Sequence, residues 1–145
     1  MKLNEPFLAG LKEIFPPTPA PDVRLIAAPT LDSWGTPPGT WPPETWKTWL
    51  DISPELLDRA ESLLSHFTPE DIIYFIPRFI VQFLTEVSGI ASGRFSSATE
   101  SLVTHLYLWK AREFKDFLLT PDQMRMFEEV LAFALTFPEL RALVE

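Results

Sequence analysis

The sequence predicts an all-α fold, and three helix-start signals are the first reason. These are Ser53-Pro54-Glu55, Thr68-Pro69-Glu70-Asp71 and Thr120-Pro121-Asp122-Gln123. In each, the hydroxyl accepts a hydrogen bond from a first-turn N–H, the proline suits the first helical position, and the acid complements the positive end of the helix dipole. Long amphipathic runs follow each signal. We therefore expect residues 1–145 to form a single α-helical domain, a compact bundle of roughly five or six helices.

The spacing of apolar residues places the individual helices. Asn4 can cap a first helix that ends near Phe15, and the Ser53 signal begins a helix over Pro54–Phe67. The next run, from Pro69 to about Val87, is apolar over half its circumference, which predicts a central helix. Pro77 lies inside it, so we expect a kink or a split near Tyr74–Pro77.

The second half of the chain begins with a flexible joint, because residues 88–94 are rich in Ser and Gly. Ser97-Ala98-Thr99-Glu100 has the pattern of a capping box and predicts the start of a further helix. The end of that helix is not clear from the sequence. A helix follows Thr120, Pro138 ends it, and a short terminal turn or helix covers Glu139–Val144.

A segment rich in proline and tryptophan separates the first helix from the rest. Nine prolines lie between Pro16 and Pro43, too many for a regular helix. Tryptophan is unfavourable in water, so we expect the segment over residues 16–43 to be a strap wrapped over the helices rather than a disordered linker. A short helix over Pro43–Leu50 would bring Trp46 and Trp49 to the core. The tryptophans in or just after the segment are Trp34, Trp41, Trp46 and Trp49.

Composition and charge narrow the classes of partner. The net charge is −8, and residues 51–145 hold 15 acidic and 8 basic side chains, against 5 and 4 in residues 1–50. An acidic surface repels nucleic-acid phosphates and anionic membranes and favours a basic partner. The N-terminus lacks the apolar core of a signal peptide, no segment is long and apolar enough to span a membrane, and there is no cysteine. We therefore expect a cytoplasmic protein.

Few residues could carry catalysis or hold a metal. The chain lacks a cysteine nucleophile, a glycine-rich phosphate loop and a Gly-x-Ser-x-Gly elbow. His66 is expected to complement a helix C-terminus, and His105 lies beside an apolar face without a carboxylate at helical spacing. Arg94 belongs to the Ser/Gly loop over residues 88–97, which could hold an anion but has the composition of a linker. We expect no catalytic residue, no metal and no cofactor.

An acidic stripe is the best candidate for a binding surface. On a helical projection Asp51, Glu55, Asp58 and Glu61 point away from the apolar face of their helix. The stripe can be a solvated helix face, but its almost uniform negative charge could also steer a basic protein partner.

Two blocks of sequence carry a family resemblance. They are Phe67-Thr68-Pro69-Glu70-Asp71-Ile72-Ile73-Tyr74-Phe75-Ile76-Pro77 and Leu119-Thr120-Pro121-Asp122-Gln123. With the proline-rich segment and Trp46 and Trp49, they make the chain resemble the small bacterial proteins grouped as domain of unknown function 6714. The chain departs from that pattern at Ile76 and Asp122. The resemblance implies a small bacterial cytoplasmic protein and brings no catalytic residues.

Two functional hypotheses follow. The first is a non-catalytic protein–protein interaction module, such as an immunity-type inhibitor or an adaptor, that binds a basic protein through the acidic stripe. The second is a small-molecule-binding protein or an unrecognised enzyme, with a pocket between the Trp-rich strap and Tyr74–Pro77. The sequence determines neither the partner nor the oligomeric state.

Overall fold

Helices make up the regular structure of the chain in the computed structural model, which describes residues 1–16, 48–59, 64, 69–89 and 94–145. No strand occurs within these ranges, so the predicted all-α class is confirmed there. In chain order the elements are α1 (Glu5–Ile14), a 3₁₀ helix (Trp49–Asp51), α2 (Pro54–Arg59), α3 (Pro69–Ser88), α4 (Ser97–Ala111), α5 (Pro121–Ala134) and α6 (Pro138–Arg141). The single-domain prediction for residues 1–145 stays a prediction. The expected strap over residues 16–43 lies outside the described residues except for Pro16.

Two of the predicted helix starts have the expected hydrogen bonds. Asn4 Oδ1 accepts from the Phe7 N–H at 2.9 Å, and α1 ends against Phe15 as expected. At α5, Thr120 Oγ1 accepts from the Gln123 N–H and Gln123 Oε1 accepts from the Thr120 N–H, both at 3.1 Å. Helices α2 and α3 begin at Pro54 and Pro69 as predicted. The remainder of the helix predicted to Phe67 lies outside the described residues, apart from Leu64.

The start of α4 was predicted one residue too late. Its cap is Ser96 rather than Ser97: the Ser96 Oγ accepts from the Thr99 N–H at 3.2 Å. The acidic partner also differs, because Glu86 of α3 takes the place expected for Glu100. Glu86 Oε1 accepts from the Ser96 N–H at 2.8 Å and its Oε2 accepts from the Ser96 hydroxyl at 2.7 Å. A contact with another helix therefore determines which serine caps α4.

The helix predicted over Pro43–Leu50 is also wrong at its C-terminal end. Thr48 is extended (φ −139°, ψ 171°) and begins a new 3₁₀ helix instead of continuing an α-helix. Its N–H donates to Asp51 Oδ2 at 3.1 Å, and its hydroxyl accepts from the Leu50 N–H at 3.3 Å. The turn buries Trp49 to 1% exposure, and the indole N–H donates to the Phe15 carbonyl at 3.2 Å. The predicted burial of Trp49 is thus confirmed, whereas Trp34, Trp41 and Trp46 lie outside the described residues.

Pro77 does not split its helix, because α3 is continuous from Pro69 to Ser88. The proline is buried, and most of the residues around it are buried too. Helix α3 packs against α4 and the 3₁₀ helix, as expected for a central element. Helix α4 is equally central, since it packs against α2, α3 and α5. Small buried side chains at Ala98, Thr99 and Val103 allow these close approaches.

Every described helix contributes to one hydrophobic cluster, which includes Leu11 of α1, Leu57 of α2 and Leu140 of α6. The end of α4, which the sequence left open, is part of this packing. Glu113 and Phe114 adopt positive φ angles of 58° and 54°, so the chain turns sharply after Ala111. The turn places the Phe114 ring 5.9 Å from the ring of Phe127. Burying an aromatic side chain offsets the strain of left-handed backbone at non-glycine residues.

Replacing Glu86 with alanine should destabilise the fold more than an equivalent change at an exposed acid. The Glu86→Ala variant leaves the half-buried Ser96 N–H and hydroxyl without their carboxylate acceptor. We expect the free energy of unfolding to fall by about 1–3 kcal/mol, the usual effect of removing a charged hydrogen-bond partner. Urea denaturation followed by circular dichroism measures it. Glu129→Ala, at an exposed position of α5, is the control, and equal stabilities of the two variants would contradict the assignment.

Candidate functional site

The structure describes the side chains of two of the four residues predicted to bind a partner. Asp51 is exposed at the end of the 3₁₀ helix, and Asp58 is exposed on α2. Glu55 belongs to α2, and Glu61 lies outside the described residues. The expected exposure therefore holds for Asp51 and Asp58. Nothing in the structure tests whether the four residues bind a partner together.

Both of the described carboxylates also have structural roles, which the sequence did not reveal. Asp51 Oδ2 accepts the Thr48 N–H within the 3₁₀ helix. Asp58 Oδ1 lies 3.4 Å from the Ala98 N–H, in the first turn of α4. A carboxylate there satisfies a helix N–H that has no partner inside the helix and complements the positive dipole end. Because Asp58 and Ala98 are 40 residues apart, no local pattern could indicate this contact.

Two carboxylates near the start of α4, those of Asp58 and Glu100, are exposed. Among the described residues, neither Asp58 nor Glu100 forms an ion pair within 4.0 Å. Elsewhere on the described surface, Glu13 and Glu128 also lack such a partner, whereas four acids have one. The pairs are Arg112–Asp116 at 3.2 Å, Lys115–Glu113 at 3.5 Å, Arg125–Asp122 at 3.4 Å and Arg141–Glu145 at 3.4 Å. Asp58 of α2 and Glu100 of α4 are therefore carboxylates whose charge no described basic side chain contacts directly.

A buried arginine lies in the region where the sequence suggested a pocket. Arg78 follows Pro77 on α3 and is only 8% exposed. Its Nε–H donates to the Ile52 carbonyl at 2.7 Å, whereas its Nη1 is buried without a hydrogen-bond partner in the described part of the chain. Burial lowers the pKa of the Arg78 guanidinium. A single basic residue within the apolar run Ile72–Leu84 was the signal that sequence reasoning overlooked.

Tyr74 lies one helical turn before Arg78 and is also buried. Its ring packs edge-on against Phe75, with centroids 4.9 Å apart. Burial, and secondarily the negative charge of Asp51, raise the pKa of the Tyr74 hydroxyl to about 12. Both effects disfavour the phenolate, so the hydroxyl stays protonated throughout the physiological range.

A cleft of about 340 Å³ opens at the start of α4. Arg94 and Phe95 of the preceding segment, Glu100 of α4, and Glu139 and Leu140 of α6 line it. The sequence singled out Arg94 as part of an anion-binding joint, but it did not indicate that Glu139 would lie beside it. Residues 90–93 of that joint lie outside the described residues.

The side chain of His105 has contacts within its own helix, α4. His105 Nδ1 lies 2.7 Å from the Ser101 carbonyl oxygen, and the imidazole ring packs against Trp109 with centroids 5.5 Å apart. His66 lies outside the described residues. Within the ranges that are described, no three His, Cys, Asp or Glu side chains group as metal ligands would. No helix in those ranges is long and apolar enough to cross a membrane.

Comparison of the chain with protein-family models, with curated proteins and with solved structures yielded no match in any of the three. Functional inference therefore depends on the residues and their geometry. The resemblance to the small bacterial family stays a prediction from the sequence.

The raised pKa of Tyr74 predicts a stability loss at high pH. Between pH 10 and about 12 the unfolded chain releases the phenolic proton while the folded protein retains it. Stability therefore falls as pH rises through this window, because the folded state binds more protons. Urea denaturation of wild type and Tyr74→Phe at several pH values tests this, and the variant should lose less stability.

The only other tyrosine provides the matched control. Tyr107 is 40% exposed on α4, so Tyr107→Phe should show the pH profile of the wild type. If Tyr74→Phe lost as much stability as the wild type across the window, the assignment to Tyr74 would be wrong.

Proposed function

We propose that this chain is a non-catalytic interaction module that binds a basic protein through the acidic surface formed by Asp51, Glu55, Asp58 and Glu61. The proposed class of protein is an immunity-type inhibitor or an adaptor. The observation that carries the proposal is the exposure of Asp51 on the 3₁₀ helix and of Asp58 on α2, where Asp58 forms no ion pair with the described residues.

Electrostatic steering is the physical basis of the proposal. Charges of one sign on a surface increase the rate at which an oppositely charged partner reaches it. The chain as a whole, with a net charge of −8, adds to the attraction at longer range. Salt weakens such steering, because the Debye length is about 10 Å at 0.1 M.

The contact between Asp58 and α4 determines which substitutions can test the proposal. Lysine at position 58 would remove the acceptor of the Ala98 N–H and so disturb the fold. Asparagine removes the charge and keeps an oxygen that accepts this hydrogen bond. The informative variant is therefore Glu55→Gln, Asp58→Asn and Glu61→Gln combined.

The triple variant should associate more slowly with a basic probe. We expect its on-rate for an oligolysine peptide to fall roughly tenfold at low salt, and the difference to disappear at high salt. Surface plasmon resonance at two salt concentrations measures this. The same comparison of on-rates is then made with partner proteins that have been captured by cross-linking in the native cell.

A control of equal charge separates the surface from the net charge. Glu13→Gln, Glu128→Gln and Glu129→Gln combined change the net charge by the same amount at exposed positions of α1 and α5. If both triple variants slow association equally, the acidic surface is a solvated helix face and the proposal fails.

The second candidate function is the binding of a small anionic molecule next to Arg78. What favours it is the buried guanidinium, whose Nη1 has no hydrogen-bond partner in the described ranges. A buried charge without a partner is unfavourable, and an anionic ligand would relieve that cost. Tyr74 lies one turn away, and its hydroxyl stays neutral, so it could donate a hydrogen bond to the same ligand.

Thermal denaturation with inorganic phosphate and citrate tests this candidate. Either anion should raise the melting temperature of the wild type relative to chloride at equal ionic strength, because ligands that bind only the folded state stabilise it. Arg78→Met should abolish the shift, and Arg78→Lys should retain part of it. An unchanged shift in Arg78→Met would reject Arg78 as the anion-binding residue.

The proposal also covers the kind of organism and the location of the protein in the cell. The sequence resemblance supports a small bacterial cytoplasmic protein. Acidity argues against nucleic acid as the partner. The proposed binding requires neither a metal nor a cofactor.

A further inference from the structure

The cleft at the start of α4 combines opposite charges with an apolar floor. Its volume of about 340 Å³ lies at the small end of the range of ligand sites, which is roughly 300–1,000 Å³. Three charged side chains line it, namely Arg94, Glu100 and Glu139. A site of this size suits a metabolite of low mass rather than a nucleotide or a folded domain.

These three side chains surround the cleft without pairing. All are exposed, and among the described residues none forms an ion pair within 4.0 Å. Elsewhere on the surface, opposite charges of neighbouring residues do pair, as in Arg112–Asp116. The guanidinium and the two carboxylates thus remain available to a ligand placed between them.

The floor of the cleft is held in place by the hydrophobic core. Leu140 is fully buried, and the Phe95 ring lies 6.0 Å from Phe83 and 5.4 Å from Phe137. The next residue, Ser96, is fixed by two hydrogen bonds to the Glu86 carboxylate. Arg94 therefore extends from a backbone that is anchored on its C-terminal side.

Charge balance selects the chemical class of ligand. A simple anion would meet two carboxylates, and a simple cation would meet the guanidinium. A zwitterion satisfies both, because a carboxylate can pair bidentately with Arg94 while an ammonium group contacts Glu100 and Glu139. The apolar floor then provides a surface for a side chain.

We propose that the cleft is a binding site for a free α-amino acid. Arg94 holds the carboxylate, Glu100 and Glu139 hold the ammonium group, and the half-buried Phe95 contacts an apolar side chain. None of the residues assigned to this site belongs to the set Asp51, Glu55, Asp58 and Glu61 that is proposed to bind a protein, so either proposal can fail without the other.

Isothermal titration calorimetry with leucine, methionine, phenylalanine and lysine tests the site. At least one should bind saturably to the full-length protein, with chemical-shift changes at the Phe95, Glu100 and Leu140 amides in NMR spectra. For the amino acid that binds, the amide removes the carboxylate charge and the N-acetyl derivative removes the ammonium. Each should bind at least tenfold more weakly, because each loses one charge contact.

Two variants assign the contacts. With Arg94→Gln, the amino acid and its amide should bind with similar affinity. With Glu139→Gln, the preference for the amino acid over its N-acetyl derivative should become smaller, because only Glu100 then holds the ammonium group. Arg125→Gln and Glu129→Gln, which change the same charges at exposed positions of α5, should bind like the wild type. Thermal melts verify that each variant is folded.

Three results would overturn the proposal. They are the absence of saturable binding by all four amino acids, affinity unchanged in both Arg94→Gln and Glu139→Gln, and equal losses in the control variants. A preference for the amide over the free amino acid would also overturn it, because the ligand would then be a cation.

Discussion

The clamp between Glu86 and Ser96 is the interaction on which the rest of the arrangement depends. One carboxylate of α3 binds both the backbone N–H and the hydroxyl of the residue that caps α4. It thereby determines where α4 begins and, with that, which side chains its first turn presents. Helix α4 packs against α2, α3 and α5, so a shift of its start by one residue would alter three interfaces. Charged hydrogen bonds suit this task because they are short and directional.

The first turn of α4 also connects the surfaces proposed for binding. Asp58 of α2 approaches the Ala98 N–H, and Glu100, two residues further along, faces the cleft beside α6. The negative charge of Asp58 therefore has a structural use as well as a proposed functional one. The same carboxylate can stabilise a helix N-terminus and attract a cation, since hydrogen bonding to one oxygen leaves most of its charge in place.

Trp49 and Arg78 make the hydrogen bonds that connect residues 49–52 to the end of α1 and to α3. The Trp49 indole closes the carbonyl end of α1 at Phe15, and Arg78 binds the Ile52 carbonyl just after the 3₁₀ helix. The tryptophan buries a large apolar surface, which stabilises the packing. The arginine buries a charge, which is unfavourable without an anion. That difference is why Trp49 is explained by the fold, whereas Arg78 is a candidate for function.

Local patterns in the sequence determined the all-α class, the starts of α1 and α5 and the burial of Trp49. Helix caps and apolar spacing act over three to four residues, so Asn4, Thr120 and Gln123 could be assigned without the rest of the molecule. Tertiary contacts decided the remainder. Ser96 rather than Ser97 caps α4 because Glu86 reaches it from another helix, and Asp58 meets Ala98 across 40 residues. Arg94, Glu100 and Glu139 line one cleft only because the tertiary structure brings α6 near the start of α4, which no local spacing encodes.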